Sequence, residues 1–177
     1  MKYLPGDIVL TKSKEWYGWL IRWGNQYTGE EKTVCNHVGV GEDKVYFIEA
    51  LWTTVRTMWA NLQYEPKDTW EVWRHKSLTD EQRIAVAEKA REYLGRKYGW
   101  WKIGLHGIDG ILGKIFCTDV YLFRRIGFMD KYPICSWLAA FAYKKAIGYE
   151  FGVDPERAAP DDIRDWVSTH GDWEKIG

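Results

Sequence analysis

The dominant spacing of apolar positions changes near Ser77, dividing the chain into a strand-rich half and a helix-rich half. Before that point short runs dominate. Ile8-Val9-Leu10-Thr11, following Pro5-Gly6, reads as an opening strand over 7–11. Trp16, Trp19, Leu20 and Trp23 recur at helical spacing before Gly24, so 15–23 is expected to be helical, with a polar loop over 26–33. Segments 34–40 and 45–50 read as two strands of a hairpin around Gly41-Glu42-Asp43-Lys44. Further strand patterns cover 55–58 and 69–74.

Beyond Ser77 the period becomes helical. Thr79 with Gln82 three residues on forms a capping box, opening a helix expected to run to Leu94 and stop at Gly95. Trp101, Leu105, Ile108 and Leu112 predict a second helix, weakened by Gly104, Gly107 and Gly110. Segments 118–126 and 134–147 also read as helices. Pro160-Asp161-Asp162 starts a last one to Val167. Strands followed by helices, without repeat or linker, predict one α+β domain over residues 1–177.

Composition narrows the function classes. Lys plus Arg and Asp plus Glu are 25 each. This balance argues against a broad nucleic-acid surface, leaving only a local basic patch at Arg91, Arg96 and Lys97. The 12 tryptophans and 11 tyrosines read first as a bulky core, and secondly as an aromatic cleft or interfacial surface. No run approaches the roughly 20 apolar residues that span a bilayer, and no amphipathic or C-terminal anchor stands out, which weighs against a dedicated membrane enzyme. Met1 to Gly6 lacks the apolar stretch of a secretory signal. With three cysteines in no disulfide framework, a cytoplasmic protein with reduced thiols is expected.

Two distant residues carry the candidate chemistry. Cys135 follows Pro133-Ile134 at a predicted helix start, where the helix dipole favours thiolate. Taken alone it is as easily a buried structural cysteine. His37 stands on a predicted strand in Asn36-His37-Val38-Gly39-Val40. Alternation sets it on one face with Cys35 and Gly39, and the glycines near it suggest space where backbone or a substrate could approach. A three-residue loop, Glu42-Asp43-Lys44, would place Val38 opposite Ile48, Val40 opposite Tyr46 and Glu49 opposite His37. The set reads as a Cys135 nucleophile, a His37 base and a Glu49 orienting group, turning over an amide through a thioester acyl-enzyme. The Cys135 N–H would be one oxyanion donor, with Lys12, Ser13 or Trp16 offered for a second.

These residues, with others in the same order, resemble the circularly permuted branch of the NlpC/P60 superfamily. This papain-like group includes YiiX-type proteins and lecithin:retinol acyltransferase relatives. The likeness rests on Gly6-Asp7-Ile8-Val9-Leu10-Thr11, Asn36-His37-Val38-Gly39-Val40, Ile48-Glu49-Ala50, and Ser77-Leu78-Thr79-Asp80-Glu81-Gln82-Arg83. It continues through Tyr93-Leu94-Gly95-Arg96-Lys97-Tyr98-Gly99, Ile134-Cys135-Ser136 and Pro160-Asp161-Asp162-Ile163. The resemblance implies a half-barrel sheet packed on helices, thiol chemistry on amide or ester bonds, and catalytic places for His37, Glu49 and Cys135. Two departures stand out. Residues 111–129 look inserted, and Ser136-Trp137 replaces the usual Ser-Glu, reshaping the rim of the site.

Competing assignments remain at this level. Cys35, His37, Glu49 and Cys135 could be drawn as zinc ligands, but zinc-site spacing is missing; no metal and no cofactor is expected. Cys35 reads better as a neighbour of the site and an oxidation partner for Cys135. Cys117, just outside a helix capped by Thr118, is the rival nucleophile. His75 and His170 read as solvated, and His106 as a core or solvent residue. The partner expected is a small peptide, amide or acyl substrate. The alternatives are lipid-directed acyl transfer or ester hydrolysis, and a non-catalytic binding module for a peptide, amine or lipid.

Overall fold

A computed structural model describes residues 3–12, 35–51, 53–59, 70–116, 120, 122–123 and 133–177, the side chains of Trp59, Ile103 and His106 excepted. The expected helix over 15–23, the loop over 26–33 and Cys117 lie outside the described residues, as does most of the segment 118–126.

The strands are β1 (Ile8–Thr11), β2 (His37–Gly41), β3 (Tyr46–Leu51), β4 (Thr54–Trp59), β5 (Trp70–His75) and β6 (Trp173–Lys175). They form one open sheet in the order β4-β3-β2-β1-β5-β6, and every neighbouring pair is antiparallel. The helices among the described residues are α1 (Asp80–Arg91), α2 (Trp100–Phe116), α3 (Cys135–Ile147) and α4 (Pro160–Thr169). This is the α+β architecture the patterning predicts. The C-terminal β6 is an addition, too short and charged to show alternation.

Both faces of the central strands are buried. Ile8, Leu10, Val38, Val40, Ile48 and Ala50 join the core containing α1 and α3, while Val9, Phe47 and Val72 meet Tyr3 on the other side. Helix α3 packs on α1, β2 and β3. Its first six residues, Cys135 to Ala140, are all buried, and half-buried positions begin only in its second half. Trp137 belongs to this interior: it stacks on Phe141 at a 4.5 Å centroid distance and meets Tyr93 edge-on at 5.2 Å. It does not form a rim.

Local signals place the ends of these elements. The Thr79 side chain accepts from Gln82 N–H at 3.3 Å and Gln82 returns a bond to Thr79 N–H at 3.0 Å. Helix α1 stops at Arg91, short of the expected Leu94. Tyr93 and Leu94 turn tightly on Ala90 and Arg91, and Gly95 (φ +79°) lets its N–H reach Val55 O at 2.9 Å. Sheet docking at β4 thus ends the helix. Gly148 (φ +70°) closes α3, and the Asp162 carboxylate accepts from Ala159 N–H at 2.8 Å to cap α4, which runs two residues past Val167.

Helix α2 departs from expectation more strongly. It is amphipathic, but its apolar residues face outward, Ile115 and Phe116 being about two-thirds exposed at 66% and 65%. Its glycines dilute that pattern in the sequence. No helix among the described residues is long and apolar enough to cross a membrane.

Candidate active site

The hairpin brings His37 and Glu49 together by a register other than the predicted one. Gly39 pairs with Glu49, Val40 with Ile48 and Gly41 with Phe47. The loop is still three residues long but is shifted to Asp43-Lys44-Val45. The Asp43 carboxylate fixes it, accepting from Val45 and Tyr46 N–H at 2.7 and 2.8 Å, a side-chain turn favoured over simple apolar matching. A slip of two residues keeps every side chain on its face. Glu49 therefore remains on the face of His37, diagonal rather than directly opposite, and its length spans the gap.

The contact is short and buried. His37 Nε2 lies 2.7 Å from Glu49 Oε2, and Glu49 is fully buried. The other carboxylate oxygen accepts from Arg56 Nε at 3.2 Å, because Glu49 and Arg56 are register partners across β3 and β4. Arg56 was not singled out from the sequence; only the β3–β4 register reveals it.

The space suggested by glycines near His37 is filled by the protein itself. A Cβ on Gly39 would stand 2.6 Å from the Phe47 ring, and one on Gly41 would stand 2.5 Å from Leu4 O. The glycines admit β3 and the N-terminal turn, not a ligand.

Cys135 is the first residue of α3 and only 4% exposed. Its thiol interacts with the His37 ring and with backbone N–H groups of Val38 and Ser136. With Nε2 engaged by Glu49, Nδ1 is the ring nitrogen left for the sulfur. Burial opposes charge on both groups, yet their mutual attraction outweighs it. The Cys135 thiol is held below its ordinary range by the imidazolium and the N–H groups. Burial pulls His37 down, but Cys135 and Glu49 push it up to about 10. Both movements favour the charged forms, a thiolate beside an imidazolium.

The other residues sort by their surroundings. The buried Cys35 thiol donates to Pro160 O at 3.2 Å, and burial, with Asp161 adding, drives its pKa up. Two nearby thiols are thus pushed in opposite directions, and only Cys135 gains anionic character. Lys12 is exposed, while Ser13 and Trp16 lie outside the described residues. His75 corrects the sequence reading. It is buried, its Nε2 is 3.2 Å from Asp172 Oδ2, and it meets Tyr149 and Trp173 edge-on. Desolvation lowers its pKa, as expected of a packed ring beside β6. His170 is exposed, as expected, and stacks on Trp166.

The fold and site define an α+β protein with an open antiparallel sheet, a strand-borne histidine and a cysteine at the start of the central helix. Its fold is similar to a solved structure described as the metalloprotein yiiX from Escherichia coli O157:H7, DUF1105. The two share a TM-score of 0.67 and 16% identity, over 100% of this chain and 98% of the other. At that identity the likeness is one of fold. No protein-family model and no curated protein sequence matches the chain. The word metalloprotein describes that structure. Among the described residues of this chain, no group of three or more His, Cys, Asp or Glu is arranged to hold a metal ion.

Proposed function

We propose that the chain is a cysteine hydrolase of the permuted NlpC/P60 type, acting on amide or ester bonds. The observation that carries this reading is the electrostatic pairing of Cys135 with a histidine whose far nitrogen is held by buried Glu49. A structural cysteine needs no such partner, and Cys35 illustrates the contrast.

In this mechanism Cys135 Sγ, already a thiolate, adds to the carbonyl carbon, and the new C–S bond leaves an oxyanion. That oxyanion lies at the N-terminus of α3, where backbone N–H groups favour negative charge. Collapse breaks the bond to the leaving nitrogen or oxygen, which takes the proton from His37. In the second half His37 accepts a proton from water as the water oxygen attacks the thioester, and Cys135 departs as thiolate. Glu49 touches neither reacting atom. It fixes the ring and stabilises the imidazolium, and Arg56 holds it in place.

The test is acyl-enzyme trapping. A panel of activated acyl esters and amides is mixed with protein, quenched in acid and read by intact-mass spectrometry with peptide mapping. A covalent acyl adduct on Cys135, absent in Cys135→Ala, is the expected result. Stoichiometric non-covalent binding of the panel without adduct or turnover would reassign the protein to the binding-module class.

A further inference from the structure

Helix α2 has its polarity inside out. At about 100° per residue, Trp100, Trp101, Gly104, Ile108, Ile111 and Ile115 share one arc about 100° wide. All six are exposed. On the opposite side Lys102 and Asp109 are buried, 6% and 1% exposed. Lys102 Nζ lies 4.9 Å from the Trp137 ring centroid, and Asp109 accepts from Phe123 N–H at 2.9 Å. A helix facing water places these residue types the other way round. Single exposed apolar residues are ordinary, but a contiguous stripe marks an interaction surface. Helix α2 also has no extended packing with another described element.

The charges beside the stripe indicate what covers it. No carboxylate lies within the stripe. Directly before it, Arg96 and Lys97 are exposed. Arg96 rests over the Tyr93 ring at 4.6 Å, and neither residue is paired with a carboxylate among the described residues. Nearby cations behave differently: Arg91 pairs with Glu42, and Lys89 with Glu92. A second copy of the stripe would offer Arg96 and Lys97 no anion, whereas anionic headgroups would. Two tryptophans beside two cations, followed by isoleucines, is the order of groups that suits a headgroup boundary above acyl chains.

We propose that α2 docks on the surface of a bilayer containing anionic lipid. Ile108, Ile111 and Ile115 enter the acyl boundary, and Arg96 and Lys97 meet the headgroups. The stripe begins beside the candidate site, since Gly99 N–H donates to Pro133 O at 3.0 Å, two residues before Cys135. Docking would therefore hold the thiol close to the membrane plane.

The experiment is vesicle co-sedimentation with the full chain, using phosphatidylcholine vesicles with and without about one-third phosphatidylglycerol. The proposal predicts binding to the anionic vesicles that weakens as salt is raised. Ile111→Asp/Ile115→Asp should lose at least about tenfold in partitioning, and Arg96→Gln/Lys97→Gln about fivefold per charge. Far-UV circular dichroism and Tm should stay at wild-type values in both. Cys135→Ala should bind like wild type, which separates this proposal from the chemistry above. Wild type failing to sediment with anionic vesicles, or binding unchanged by the aspartate pair, would overturn it. Self-association in sedimentation velocity, abolished by the aspartate pair without vesicle binding, would assign the stripe to a second copy and also overturn it.

Discussion

Replacing Glu49 by glutamine isolates the orienting role, because it removes a charge while keeping the shape. Among the donors the carboxylate serves are His37 Nε2 at 2.7 Å and Arg56 Nε at 3.2 Å. A glutamine amide has one acceptor oxygen and one NH2, so it can satisfy only one of them. If the oxygen stays on His37, the amide NH2 faces Arg56, whose half-exposed side chain can turn to water. The main loss is then the charge assistance to a buried imidazolium. A hydrogen bond to a charged group is worth about 1.5–3 kcal/mol, which corresponds to about 1–2 pKa units on His37 and roughly 10–150-fold in any step needing the protonated ring.

The sign follows from the pair. Glu49 raises His37, so Glu49→Gln lowers it from about 10 toward its ordinary 6.5. The thiolate then loses its counter-ion at lower pH, and the Cys135 pKa climbs. The assay is the rate of Cys135 alkylation by iodoacetamide from pH 5 to 10, in wild type and Glu49→Gln, with circular dichroism as the folding control. The variant's profile should move upward, with the largest deficit at the acid end. Superimposable profiles from two folded proteins would refute the role given to Glu49.

Three further outcomes follow from the same structure. Cys35→Ser should leave the fast alkylation phase intact, since burial raises the Cys35 pKa; loss of that phase would transfer the reactive thiol to Cys35. Gly39→Ala should cost about 1–3 kcal/mol by overpacking, because its Cβ would meet the Phe47 ring at 2.6 Å. Urea unfolding measures the cost, and an unchanged midpoint would contradict that contact. Stability should also depend on pH through both partners. The raised His37 contributes fully below its ordinary 6.5 and loses its contribution as pH rises through about 10. The lowered Cys135 contributes above the ordinary thiol range and loses its contribution as pH falls through its depressed value. Because the two ionise together, Tm should fall as pH rises toward about 10. The fall should be smaller in a Cys135→Ala/His37→Ala protein, where Tyr3 and Tyr143, also raised by burial, still contribute.

What could be read from the sequence was governed by parity and period. Alternation together with a three-residue loop sets His37 and Glu49 on one face, and that survives a two-residue error in register because side chains repeat every two positions. The register itself turned on the Asp43 side chain gripping the loop, a local bond that apolar matching overlooks. Arg56 needed the pairing of β3 with β4, information no single strand contains. His75 looked solvated because the partner that covers it, β6, is three residues long. Trp137, expected at the rim, packs inward because α3 is buried all round at its start. The outward apolar face of α2 is not legible in the sequence, because a pattern carries periodicity without saying which side faces the protein.

The central claim is that Cys135 and His37 form a thiolate–imidazolium pair. Its most direct test is the ultraviolet thiolate absorbance of Cys135 across pH 5 to 10, taken as wild type minus Cys135→Ala and repeated in His37→Ala. An ordinary thiol of pKa about 8.5 is roughly 0.3% ionised at pH 6. The account predicts a Cys135-specific thiolate signal persisting well below that range in wild type, and an upward shift of its titration once His37 is removed. A Cys135 signal titrating near about 8.5 or above, indifferent to His37, would contradict it.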